Sequence, residues 1–438
     1  MPLNVENVLQ IINKEYVSLK NPEVSKAKAD LEKCLDQMIF FMKKDTLFKT
    51  LFEKTFYGGS VYDGLKIEKP NEFDMDLLLV LPKVCETHQS EDCGCVEMIP
   101  SNKPGFFWFK VKKDFYSPFN KFIKDDYVQT DLVINWLQSV VCKVLNVEDI
   151  GLRFGRPILK SQSGPALVLE IVSEIGQINI DLVPSFKFGS THWPKGNYRE
   201  NTTTKTDFCI VPKKLKLILH GERYWRASFQ AQERELISGK EKLKPALRLL
   251  KKMRNNLGHV SIFSYALKTI VLWNLETWKT SSTLTEVFLG LLEKYQDCRR
   301  EETLYFWNKK LNLLEEVKPI TLENHKNEIK QKKEHFVKNM DNPLEIAKII
   351  LKEGSKEYLQ FMKDYGNERN NVCEVNGNQT VFQVQRLLNV QRDSDERERR
   401  STQTDQTSNG QLIATGLAVA IIGGITIWRY LNVRNNQR

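Results

Sequence analysis

Glu72, Asp74 and Asp76 occupy every second position of the segment EFDMDLLLVL, and Gly58-Gly59-Ser60 precedes them with eleven residues between. In a β-strand, residues at i, i+2 and i+4 project from one face. The three acids would therefore line one side, while Phe73, Met75 and Leu77 enter a core. Carboxylates crowded on one strand repel one another unless a divalent cation lies among them, and hard oxygen ligands favour Mg2+ or Mn2+. Upstream, glycines let backbone N–H groups approach a phosphate, and Ser60 adds a hydroxyl donor. Each half read alone has a plainer meaning: a turn, or the solvated face of an antiparallel sheet. Taken together, a phosphate cradle followed by paired carboxylates is what metal-dependent phosphoryl or nucleotidyl transfer requires. Leu77–Leu81 is continuously apolar, which predicts a strand entering a covered core with its carboxylates at the rim.

A third acid comes from a second element. Ala166–Ser173 and Gln177–Val183 read as two strands joined by Glu174-Ile175-Gly176. Ile178, Ile180 and Leu182 share a core face, so Asn179 and Asp181 point the other way. A two-metal site needs such a carboxylate to bridge the ions and take the proton from an attacking hydroxyl.

The elements that must position these groups are mostly helical. Asn21-Pro22-Glu23 predicts a helix start with Asn21 as N-cap. Val24, Ala27, Leu31, Leu35, Met38 and Met42 then recur at helical spacing, with Lys26, Lys28, Lys33, Lys43, Lys44, Lys49 and Lys54 on the remaining surface up to the glycine turn. Helical spacing returns over 125–147. The second half, Trp225 to about Tyr365, is helical and lysine-rich, with amphipathic stretches at Lys244–Met253 and Ser264–Leu275. Leu247, Leu250, Ile270 and Trp273 read as core. The basic spine helix and the lysines of the second half offer a surface to a nucleic-acid backbone, or simply a solvated face.

At 438 residues the chain can bury a large core, and its formal charge of +10 with a pI near 9.0 predicts an anionic partner. Eight cysteines are scattered, and Met1–Gln10 does not read as a secretory signal, which points to free thiols in a reducing compartment and away from a disulfide framework. Cys85, His88, Cys93 and Cys95 fall within eleven residues and could hold zinc; the alternative is a polar loop with free thiols. Composition changes at Gly366: lysine disappears, and 366–411 reads as a flexible linker. Leu412–Trp428 is an uncharged run of 17 residues, covering ~25 Å as a helix. With Arg429, Arg434 and Arg438 behind it, the segment 412–431 has the pattern of a tail anchor, as in the mitochondrial outer membrane or endoplasmic reticulum.

Tyr57–Asp74, with its Gly-Ser turn, Tyr62 two residues on and Pro70-Asn71-Glu72-Phe73-Asp74, resembles the nucleotidyltransferase core of animal cyclic GMP–AMP synthase and the cyclic GMP–AMP synthase-like receptors. The likeness continues in INIDLVPSF around Asp181, in Tyr224–Glu235, in Ala246–Arg254 and in Phe263–Thr269, so that it covers about residues 10 to 340. It implies an α/β, bilobal fold. A mixed β-sheet core with a long N-terminal spine helix would occupy 1–220, and a C-terminal helical lobe 221–365. It implies that Glu72, Asp74 and Asp181 bind two Mg2+ or Mn2+ ions, and that Ser60 with the Gly58/Gly59 backbone holds ATP phosphates. Arg226, Ser228 and Glu233 would contact a GTP acceptor and Lys251 the ATP phosphates, while Ser264, Tyr265 and Lys268 would grip the triphosphate, with Tyr265 stacking on a base. The implied activity is nucleic-acid-triggered synthesis of a cyclic dinucleotide from ATP and GTP, an innate-immune messenger read by a downstream receptor, by a cytosolic catalytic domain.

The chain departs from the synthase between Gln230 and Lys244, where a zinc-binding insertion is replaced by a short interval without cysteine or histidine. That shifts the resemblance from DNA sensing towards the receptors, several of which sense duplex RNA, a ligand recognised by shape and phosphates. Two other readings stand beside this one: a catalytically silent, membrane-tethered interaction protein of the same fold, and a nucleotidyltransferase that extends RNA ends.

Overall fold

Alternation of apolar with acidic side chains from Glu72 to Leu77 predicts a strand, and this segment is one, paired on both sides within a sheet. The computed structural model describes residues 4–366 except 82–84, 90–94, 101–117, 148–154, 195, 214–219, 280 and 301–303. Its strands are β1 (Phe52–Tyr57), β2 (Glu72–Val80), β3 (Cys85–Gln89), β4 (Val96–Pro100), β5 (Ile123–Lys124), β6 (Tyr127–Val128), β7 (Ile158–Ser163), β8 (Ala166–Ser173), β9 (Gly176–Phe188), β10 (Phe208–Pro212) and β11 (Tyr224–Ser228). Nine of them form one mixed sheet in the order β1-β2-β9-β10-β11-β4-β3, with β8 and then β7 extending from β9; β5 and β6 form a separate hairpin.

Three features of this sheet matter for function. β1 runs antiparallel to β2, so the chain leaving β1 at Tyr57 turns through the glycines directly beside Met75 and Asp74. β8 and β9 form the expected hairpin, and Gly176 at its end has φ +107°, a conformation side chains disfavour. β9 then runs five residues past Val183 and pairs in parallel with β2 along the whole of that strand. Helix Thr130–Leu145 covers one face of β9 and β10 and also packs on the spine helix.

The spine helix spans Asn21–Met42 and buries Ala27, Leu31, Cys34, Leu35, Met38 and Met42, leaving Val24 only half-buried. Its N-cap is Lys20 and not Asn21; Pro22 stands in the first turn, where a missing N–H costs nothing. The helical lobe is formed by Leu243–Asn256, Ser264–Trp273, Leu284–Arg300, Pro319–Lys338, Pro343–Leu351 and Lys356–Tyr365. The opening helix, Val5–Ile11, packs on this lobe, and the Glu6 carboxylate accepts hydrogen bonds from the N–H groups of Leu284 and Thr285 at the start of a helix, where negative charge is favoured.

The membrane expectation needs correction. The span at 412–431 and the linker from 367 to 411 lie outside the described residues. Among the described residues, no helix is long and apolar enough to cross a membrane, so no described element supplies the expected tether. The zinc reading of the Cys85–Cys95 cluster falls largely outside the described residues. Cys85 and His88 lie on β3 with their side chains outside the described residues, Cys95 is buried just before β4, and Cys93 lies outside the described residues. Among the described residues no three His, Cys, Asp or Glu side chains are arranged to hold an ion.

Candidate active site

Parallel pairing of β2 with β9 sets Asp74 directly across from Asp181 and Glu72 across from Asn179. The three acids expected to meet do lie on neighbouring strands. They are not at an open rim: Glu72 is 7% exposed, Asp74 8% and Asp181 1%. The glycine turn set against Asp74 and Lys66 set against Glu72 contribute to the difference, because local alternation cannot report what another segment covers. Burial, and then the neighbouring Glu72 and Asp181, hold the Asp74 carboxyl well above the usual carboxylate range. Asp76 is pushed up to about 7 by burial, opposed by Arg226 and a hydrogen bond from Ser185. Lys66 places its Nζ 3.2 Å from Glu72 Oε2. The oxygens present are therefore hard donors in a crowded, desolvated group, the charge state that a divalent cation relieves, although they are not drawn in as a ligand set.

The glycine turn touches this group. Gly58 N–H donates to the Asp74 carbonyl at 2.9 Å. Gly59 has φ +72°, and a Cβ there would lie 1.8 Å from Asp74 Oδ2, so only glycine permits the approach. A short helix, Gly59–Tyr62, follows, and the Ser60 carbonyl accepts from the N–H groups of Leu65 and Lys66 at 2.7 and 2.8 Å. Gln230 reaches over the turn: its Oε1 accepts from Gly59 N–H at 3.3 Å, and its Nε2 donates to Asp76 Oδ2 at 2.9 Å.

The opposite wall comes from β11 and the helical lobe. β11 carries Arg226 and Ser228, helix Gln230–Leu236 carries Glu233, helix Leu243–Asn256 carries Lys251, and helix Ser264–Trp273 carries Ser264, Tyr265 and Lys268. Lys268 sits between Asp63 Oδ2 at 2.7 Å and Glu233 Oε2 at 2.8 Å. Burial works against its charge, but the two carboxylates together hold its pKa above the lysine range. Glu233 also accepts hydrogen bonds from the Tyr265 hydroxyl and, at 3.0 Å, from Trp307 Nε1–H. Lys251 donates to the Leu65 carbonyl at 2.7 Å; burial, then Lys66 and Arg254, bring its pKa down to about 7. Ser264 Oγ accepts from Arg254 Nη2 at 2.8 Å.

These walls line a cleft that opens to solvent. Every residue expected at the nucleotide or metal site lines it except Gly58, Glu72 and Asp181; Glu72 lies two residues before Asp74 on β2, and Asp181 is the register partner of Asp74 on β9. Sequence reasoning missed Asp63, Lys66, Gln230, Arg234 and the aromatic pair Phe306-Trp307. Asp63 and Lys66 had a signal, being charges within six residues of Ser60, and Gln230 abuts the Trp225–Phe229 block. Phe306 and Trp307 come from a distant loop with no spacing to betray them.

A strained glycine turn, a carboxylate strand paired with a third acid, and a cationic wall across a cleft define a nucleotidyltransferase-type site. Consistent with this, the Mab-21 protein nucleotidyltransferase domain matches residues 61–239 and the Mab-21 protein HhH/H2TH-like domain matches residues 242–331. Similar proteins include a cyclic GMP-AMP synthase-like receptor of Tribolium castaneum, 38% identical, covering 81% of this chain and 94% of that protein. Another of that name from Aethina tumida is 35% identical over 85% and 97% of the two chains, and one from Nicrophorus vespilloides is 32% identical over 71% and 86%. The chain belongs to the Mab-21 nucleotidyltransferase family, among the cyclic GMP-AMP synthase-like receptors.

Proposed function

We propose that the protein is a nucleic-acid-activated nucleotidyltransferase that joins ATP and GTP into cyclic GMP–AMP as an innate-immune messenger for a downstream receptor, with duplex RNA the favoured activator. The observation that carries this reading is the register of Asp74 with Asp181 beside the Gly59-Ser60 turn. The names of the relatives support the nucleotide pair and product. Net charge +10 and the interval Gln230–Lys244 without cysteine or histidine support the choice of activator.

Glu72, Asp74 and Asp181 are the residues that would hold Mg2+ or Mn2+, which when bound neutralises charge on the phosphates and on the attacking and leaving oxygens. The chain's own groups do the rest. Backbone N–H groups at Gly59 and Ser60, with the Ser60 hydroxyl, cradle the donor phosphates once the Gln230 side chain has moved aside. Lys251 and Lys268 add positive charge along the triphosphate, assisted by Ser264. Arg226, Ser228 and Glu233 orient the acceptor nucleotide, and the Tyr265 ring supports a base. The acceptor ribose hydroxyl attacks the α-phosphorus of the donor, pyrophosphate leaves, and Asp181 receives the hydroxyl proton; a second attack of the same kind within the linear product, releasing a second pyrophosphate, closes the ring.

Incubation of the full chain with ATP, GTP, Mg2+ or Mn2+ and duplex RNA or DNA, followed by mass spectrometry, tests this. Cyclic GMP–AMP formed with RNA is the expected result. RNA extended at its ends would support polymerisation instead, and absence of product with every ligand, alongside intact RNA binding, would identify a non-catalytic interaction protein.

A further inference from the structure

Glu72, Asp74, Asp76 and Asp181 place four acidic groups, all under 9% exposed, at one end of two paired strands. Carboxylates at that depth are costly unless a cation answers them. Here an answering cation comes from the glycine turn itself. Lys66 is six residues past Ser60 and its main-chain N–H is tied to the Ser60 carbonyl, so the segment that presents the phosphate donors also fixes this lysine. Its side chain is 5% exposed, against 8% for that of Glu72, and their charged ends are 3.2 Å apart. Lys66 also favours the charged form of Asp74 and disfavours that of Lys251.

We propose that Lys66 is a positioning residue for the metal ligands: its ammonium group is the resident counter-ion of the carboxylate cluster and holds Glu72 until a divalent cation displaces it. This rests on the reading of Glu72, Asp74 and Asp181 as metal ligands. Lys66 and an arriving cation compete for one carboxylate, because a hard dication binds oxygen more closely than an ammonium group and repels that group once seated. The exchange lets the acids be buried together in the absence of metal.

The test is a Mn2+ titration of the full chain without nucleotide at pH 8, read by thermal unfolding, for wild type, Lys66→Met, Lys66→Arg and Glu72→Gln. A rise in wild-type Tm that Glu72→Gln abolishes supports the metal ligands themselves; no rise in wild type overturns that reading and this inference with it. Given that rise, Lys66→Met is expected to melt lower than wild type without metal and to respond to Mn2+ at about tenfold lower concentration, as removal of one nearby charge implies. Lys66→Arg should resemble wild type. A Lys66→Met response equal to or weaker than wild type would overturn the proposal while leaving the metal site standing. If Lys66→Met does not fold, wild-type protein carries the test: labelling of Lys66 by an amine-reactive reagent, quantified by mass spectrometry against Lys251, should rise severalfold with Mn2+. Unchanged labelling would overturn the proposal.

Discussion

Gly59→Ala isolates the contact between the phosphate cradle and the carboxylate strand. Residue 59 holds φ +72°, which costs a side-chain-bearing residue about 1–2 kcal/mol. The new Cβ would lie 1.8 Å from Asp74 Oδ2, 2.7 Å from its Cγ and 3.0 Å from its Cβ, so the carboxylate must retreat by at least about 1 Å. Displacement of a reacting constellation by that distance costs roughly 100-fold in rate. Strain of this size lowers Tm by only about 2–4 °C in a chain this long. Product formation should therefore fall by two orders of magnitude or more while thermal unfolding hardly moves. Gly58→Ala is the matched control. Gly58 has φ −99°, and its Cβ would meet the movable end of Gln230 at 2.1 Å, so most activity should remain. Gly59→Ala protein that keeps activity within threefold of wild type would refute the role given to this turn.

Three further outcomes follow from the cationic wall. Lys268→Met leaves Asp63 and Glu233 buried without their shared cation, and urea unfolding should report a loss of about 3–5 kcal/mol. Lys251, with a pKa near 7, makes the folded protein bind fewer protons than the unfolded chain from there up to the ordinary lysine range, so it adds stability as pH rises through that window. A bound triphosphate restores its charge: calorimetry at pH 8 in buffers of different ionisation enthalpy should show up to one proton taken up with the nucleotide, and Lys251→Arg should abolish the uptake. Gln230→Ala frees the Gly59 N–H, and a non-hydrolysable ATP analogue should bind severalfold tighter by the same method.

What could be read in the sequence was what local period encodes. The inward stripe of the spine helix, the β8–β9 hairpin and the facing of Asp181 away from Ile178, Ile180 and Leu182 are all consequences of side-chain geometry over a few residues. The family motifs supplied the order of the remaining blocks. Burial of Glu72 and Asp74 is not legible because alternation marks only which face a residue takes, whereas what lies against that face includes the Gly59 turn and Lys66, brought there by the fold. Lys66, Asp63 and Gln230 escaped for a related reason: each is an ordinary polar residue locally, made significant by a partner on another element. Asn21 was misassigned as a cap since composition alone favoured it, while the chain enters that helix one residue earlier.

The most direct test of the carboxylate cluster as an ion site is an anomalous-scattering map from crystals grown with Mn2+ and a non-hydrolysable ATP analogue. We predict manganese peaks about 2.0–2.5 Å from oxygens of Glu72, Asp74 and Asp181. Nucleotide bound in the cleft with no ion on these three acids would contradict it.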